Sequence, residues 1–136
     1  MNVSTERICI ERKLGSLERC ISRLESGQKS SEGKPDEVVA LEIGQSLQLC
    51  IELASHVISS KLHDQRSGGP AGKFETLAVM GILPHGLATG MKESIELRNI
   101  YLNNCRSVGR GQIEPMIATH IRNVRKFAQA LSSFQD

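Results

Sequence analysis

Arg98 is the residue whose placement most needs a chemical reason. At about 100° per residue, the stretch Leu87 to Cys105 puts Arg98 on the same helical face as Leu87, Met91, Ile95, Leu102 and Cys105. Those six side chains span an arc of roughly 80°, so a guanidinium is expected to project from an apolar stripe. Burying an unpaired cation costs several kcal/mol, and such an arginine must meet a carboxylate, backbone carbonyls or an anionic ligand. Two readings follow. One is a buried ion pair with Glu42 or Glu52; the other is an anion site in a crevice between packed helices.

A second pair with chemical potential is Glu52 and His56, which share one helix face at i, i+4. A carboxylate at that distance can orient an imidazole and raise its basicity, as acid–base catalysis requires, or simply make a surface hydrogen bond. The pair is not a metal site. No third histidine or cysteine lies at ligand spacing, and H-E-x-x-H is absent. His63 and His85 fall at loop or helix-start positions, and His120 lies on or near a core stripe. The glycine-rich run from Ser67 to Lys73 lacks the order of a phosphate-binding loop, and no serine stands in G-x-S-x-G. No cofactor site is expected.

The elements that must carry these residues are helices. Ile10, Leu14, Leu17, Ile21 and Leu24 recur at three- and four-residue steps and predict a helix over about Val3 to Glu25. Gly27 to Pro35 has loop composition, and Asp36 is a plausible cap for a second helix running to about Leu62. That helix is very apolar, with Glu42, Gln45, Glu52, His56 and Ser59 as a narrow polar stripe, and is expected to be the central element. His63 to Gly72 reads as a loop and Lys73 to Met80 as a short helix closed by Gly81. Pro84 opens the helix bearing Arg98, which should fray near Asn103 and Asn104, with Gly109 and Gly111 bracketing the last connection. Ile113, Ile117, His120 or Ile121, Val124, Phe127 or Ala128, Leu131 and Phe134 form the stripe of the last helix. The expectation is an all-α, antiparallel up-down bundle of four long helices and one short, a single domain over residues 1–136.

Composition narrows the function classes. The net charge is +2, too small to demand a nucleic-acid partner. The charge is nevertheless uneven, with Arg98, Arg106, Arg110, Arg122, Arg125 and Lys126 facing only Glu114 between residues 98 and 128. There is no Trp, and one Tyr and three Phe give little material for base stacking, so any RNA contact goes through phosphates. Cys9, Cys20, Cys50 and Cys105 are widely spaced and read as reduced thiols acting as small hydrophobes. The polar N-terminus has no apolar leader core, and no run reaches about 18 uninterrupted apolar residues. A cytoplasmic protein without membrane association is expected.

Three sequence blocks go further: Gln48 to Lys61 (QLCIELASHVISSK), Phe74 to Pro84 (FETLAVMGILP) and Met91 to Ile100 (MKESIELRNI). Their order and spacing resemble the HepT-like family, the helical toxins of HepT/MntA toxin–antitoxin pairs, over most of the chain from about Asp36 onward. The family carries R-x-x-x-x-H-x-Y at this place. Arg98, Asn99 and Ile100 match its surroundings, whereas Asn103 stands at the histidine position and Cys105 at the tyrosine position. The resemblance implies a homodimer with metal-independent RNA cleavage in a cleft between subunits, and a MntA-type nucleotidyltransferase antitoxin that adenylylates the tyrosine. In such a site an imidazole moves protons while an arginine offsets charge developing on phosphorus.

By that resemblance Arg98, Asn103 and Cys105 are the catalytic positions, with Asn99, Tyr101, Glu52 and His56 as supporting polar residues. Arg106, Arg110, Arg122 and Arg125 are the expected phosphate contacts. Asn103 cannot shuttle a proton near neutral pH, a loss expected to cost about 10²- to 10⁴-fold in rate. Tyr101 lies about one helical turn from the modified position. Cleavage and modification are therefore both expected to be absent or reduced, leaving three functions: a toxin with a decayed ribonuclease site that still binds RNA, a non-enzymatic partner of a nucleotidyltransferase, or an unrelated interaction module.

Overall fold

The computed structural model describes residues 3–29, 36–62, 69–104 and 110–133, and the side chains of 7–27, 38–59, 69–99 and 114–133. All the regular structure among them is helical. In chain order the helices are α1 (Val3–Lys29), α2 (Asp36–Leu62), α3 (Gly69–Val79), α4 (His85–Asn104) and α5 (Arg110–Ser132). The predicted positions of all five are met, with shifts at three ends. α1 runs past Glu25 and through Gly27, α3 begins at Gly69 within the expected loop, and Gly111 lies inside α5. These shifts share a cause: composition marks where a helix can stop, while packing decides whether it does. The rest of the two loops, Phe134, and the side chain of Asp36 lie outside the described residues.

α2 is central, because its backbone packs closely against each of the other four helices. Ile43, Leu47, Cys50, Leu53, Ala54, Val57 and Ile58 are all buried along it. Its segment Val38–Ser59 is long and apolar enough to cross a membrane by length and composition, yet those buried residues belong to a core shared with the other helices. Leu17, Ile21 and Leu24 of α1 enter the same core, as do Ile117, Ile121, Val124, Phe127 and Leu131 of α5. Phe74 of α3 meets Phe127 of α5 edge to face, ring centroids 5.7 Å apart and planes at 87°. That geometry sets the electropositive ring edge against the partner's π face and holds the short helix to the long one.

The link from α3 to α4 follows the predicted stop. Gly81 has φ 81°, a left-handed conformation that a Cβ would disfavour, and the amides of Gly81 and Ile82 return to the carbonyls of Ala78 and Leu77. The carbonyl of Pro84 then accepts from the amides of Leu87 and Ala88, starting α4. α4 and α5 pass in opposite directions: Ser94 meets His120, and Gly90 meets Asn123. A Cβ on Gly90 would come within 2.7 Å of the Asn123 side chain, so the missing side chain is what lets the two helices approach.

Candidate functional site

Arg98 shares the helical face of buried Leu87, Met91 and Ser94, yet its own side chain is exposed. The buried positions of α4 are Leu87, Ala88, Gly90, Met91, Ser94 and Leu97, and Arg98 is exposed immediately after Leu97, which is 1% exposed. Ile95 is half-buried. Gly90 and Ser94, invisible to hydropathy, widen that face where they pack against α5. Small size, not apolarity, earns those two positions.

The guanidinium instead lies across the surface of α2. A Cβ built on Gly44 would sit 3.2 Å from Arg98 Nε and 3.9 Å from its Cδ. Gly44 is thus the seat on which the side chain rests. Among the described residues Arg98 makes no ion pair, and the closed pair with Glu42 or Glu52 is not formed. Glu42 is buried rather than part of an exposed polar stripe, while Glu52 is held by Lys13 of α1 at 2.5 Å. Glycine inside a helix costs about 0.5–1 kcal/mol relative to alanine, a sequence signal at residue 44 that the apolar pattern of α2 masked.

His120 is the inverse case, 1% exposed at the centre of three helices. Its Nε2 lies 2.9 Å from Ser46 Oγ of α2 and its Nδ1 2.8 Å from Ser94 Oγ of α4. Ser46 Oγ donates its own proton to the carbonyl of Ile43 at 2.8 Å. Ser46 must therefore accept from Nε2–H, which leaves Nδ1 bare to accept from the Ser94 hydroxyl. Burial pushes the imidazole pKa down to about 4. A neutral ring with both nitrogens engaged has no proton-transfer capacity left for a ligand.

The other predicted residues are spread out. Glu52 has its pKa lowered first by the hydrogen bond from Lys13, against opposing desolvation, with Gln48 and His56 contributing further. The Glu52 and His56 pair therefore exists only as a minor electrostatic partnership. His56 is exposed twelve residues beyond Gly44, about 18 Å along the helix from the Arg98 seat. Arg122 and Arg125 are exposed on α5, and Arg125 turns away to Glu25 of α1 at 2.7 Å. Asn99 is exposed beside Arg98. The side chains of Tyr101, Asn103 and Arg110, and all of Cys105 and Arg106, lie outside the described residues. Cys20 and Cys50 are buried free thiols and Cys9 is an exposed one. Burial, reinforced by Cys20, pushes the Cys50 thiol far up. Among the described residues no group of three or more potential metal ligands is assembled.

What these residues offer is an exposed, oriented cation at the junction of α4 and α2, with no base beside it among the described side chains. Its wider context comes from solved structures. A chain of a toxin–antitoxin complex crystallised with AMP-PNP superposes with a TM-score of 0.78 at 19% identity, over 96% of this chain and 99% of that one. A tri-AMPylated HEPN toxin from Shewanella oneidensis, in complex with its MNT antitoxin, superposes with a TM-score of 0.80 at 20% identity, over 98% of this chain and 100% of that one. This chain has the HEPN-toxin fold. No family model matches its sequence, and no curated protein does. The likeness thus spans nearly the whole chain.

Proposed function

We propose that this protein is a HepT-like toxin-side partner of a MntA-type minimal nucleotidyltransferase, acting as a cytoplasmic homodimer of single-domain, up-down antiparallel bundles. It binds RNA phosphate through Arg98 and has impaired or lost cleavage. The observation that carries the reading is the exposure of Arg98 on its Gly44 seat. The alternative reading of the sequence, an arginine buried in an ion pair with Glu42 or Glu52, would have closed it on a carboxylate. The end-to-end likeness to a toxin held in complex with an MNT antitoxin supports the same assignment. Val38 and Leu41, exposed on α2 within two turns before Gly44, supply an apolar surface suited to a second copy.

Asn103 and Cys105 stand where the resembled motif has histidine and tyrosine, and neither replacement restores the chemistry. His120 is committed to Ser46 and Ser94, and His56 is remote. The decisive experiment compares the purified protein with Arg98→Ala and with Asn103→His/Cys105→Tyr on total RNA. The wild type should bind without efficient cutting, and the first variant should lose binding. The second should gain about 10²- to 10⁴-fold in cleavage rate. Efficient, Arg98-dependent cutting by the wild type would overturn the loss of activity. A non-enzymatic role as nucleotidyltransferase partner is the second reading, supported by the same fold likeness, and it requires that the two proteins co-purify.

A further inference from the structure

Cys20 and Cys50 are buried free thiols on two helices that pack against each other, α1 and α2. Cys20 also lines a groove of about 390 Å³ between those helices, which it shares with Ser16, Gln45, Gln48 and Leu49. We propose that Cys20 and Cys50 are an oxidative modification site that closes into a disulfide between α1 and α2, with Cys20 as the thiol that hydrogen peroxide reaches first. The inference stands apart from the reading of Arg98 and does not depend on RNA binding.

Three features carry it. First, the two helices run in opposite directions: Lys13 meets Glu52, whereas Cys20, farther along α1, shares the groove with Gln45, Gln48 and Leu49, which come earlier on α2. Cys50 directly follows Leu49 and turns into the core, where it is 0% exposed. Side chains on a helix lean toward its N-terminus. In this antiparallel pair the lean brings the sulfurs together, carrying Cys20 toward the Glu52 end of α2 and Cys50 back toward Gln45. The Cys50 thiol, pushed up by burial, is pushed further by Cys20, an influence felt only between near neighbours. Second, the two thiols differ in access, since Cys20 borders the groove and Cys50 is enclosed. Third, Arg23 Nη2 donates to Cys20 Sγ at 3.2 Å, setting a guanidinium against the negative charge that a sulfur carries as it attacks. Exposed Cys9 lies eleven residues before Cys20 on α1, about 16 Å along the axis, too far to be the second thiol within one chain.

The chemistry balances in two steps. The Cys20 sulfur attacks one oxygen of hydrogen peroxide: an S–O bond forms, the O–O bond breaks, and the leaving hydroxide takes up the thiol proton as water. The Cys50 sulfur then attacks the sulfur of the Cys20 sulfenic acid: the S–S bond forms, the S–O bond breaks, and hydroxide leaves with the Cys50 proton as a second water. Both thiols are oxidised and the peroxide is reduced. The product is a covalent staple between α1 and the central helix.

The test treats the full chain with hydrogen peroxide, blocks the remaining thiols, and maps tryptic peptides by mass spectrometry without reduction. Peptide 20–23 should appear joined to peptide 30–61, lighter than their sum by two hydrogens and separated again by a reductant. The oxidised protein should melt roughly 10 °C above the reduced one. In Cys50→Ala the sulfenic acid should persist at Cys20 and be trapped by dimedone, whereas Cys20→Ala should leave Cys50 unmodified. Wild-type protein with both thiols still free after excess peroxide overturns the proposal, as does a bridge from either of them to Cys9 or Cys105. A dimedone adduct on Cys50 with Cys20 intact overturns it as well. The wild-type peptide map decides the matter even where a core variant fails to fold.

Discussion

His120 and Arg98 belong to neighbouring helices and treat charge in opposite ways. His120 sits inside, stripped of charge by burial, with both ring nitrogens spent on two serines from two other helices. Arg98 sits at the edge, exposed, with a glycine beneath it. The interior uses a polar group to hold helices together, and the edge leaves one available to a ligand. A buried histidine in a bundle is thus a poor candidate base however suggestive its residue type, because the partners that make its burial tolerable also consume its lone pair.

The division of roles can be broken experimentally, and the largest effect should come from the interior. His120→Ala is expected to destabilise the protein by about 2–4 kcal/mol in denaturant unfolding, through a cavity and two stranded hydroxyls. The folded fraction should retain RNA affinity within about twofold. A stable variant that had lost RNA binding would show that the two regions are one site.

Acid should expose the same residue without mutation. Above pH 7 both the folded and unfolded states carry a neutral imidazole, so His120 adds no pH dependence. Between the unfolded pKa of about 6.5 and the folded value of about 4, the unfolded chain takes up a proton that the folded chain refuses. Stability should fall across that window by roughly 3 kcal/mol, and the part of the fall above pH 5 should vanish in His120→Ala. Glu52, whose folded pKa is lowered, contributes its own loss only as pH falls through about 4.5 and below. A flat unfolding free energy from pH 7 to 5 in the wild type would contradict the neutral node.

At the edge the expected stability change is smallest and carries the opposite sign. Gly44→Ala places a methyl 3.2 Å from Arg98 Nε, a contact the flexible side chain relieves by moving. Helix propensity should raise stability by up to about 1 kcal/mol, while RNA affinity drops severalfold because Arg98 loses its seat. Parallel changes in melting temperature and RNA binding would mean that Gly44 serves packing alone.

The helices were legible in the sequence because the stripes of α1, α2 and α5 repeat a helical period over many turns, and Leu17, Ile21, Leu24, Val124 and Leu131 are buried as that period requires. The site was legible only in part. Arg98 stands out by type and by face, whereas its exposure and its rest on Gly44 depend on how α4 packs against α2. Gly44 carries no motif, and its relation to Arg98 depends on how α2 and α4 pack. Pairwise spacing along one helix cannot encode a contact between two. His120 was placed near the core correctly, but its serine partners lie 26 and 74 residues away, beyond any local pattern.

The Ser46–His120–Ser94 chain also acts as an alignment key for the bundle. Aliphatic stripes repeat every turn, so α5 could slide by about 5.4 Å against α2 and α4 and find leucines and valines facing it again. An imidazole finds its two hydroxyls at one setting only. A slipped bundle would strand a ring nitrogen in the dry interior, so this polar thread supplies the uniqueness that a greasy core by itself lacks.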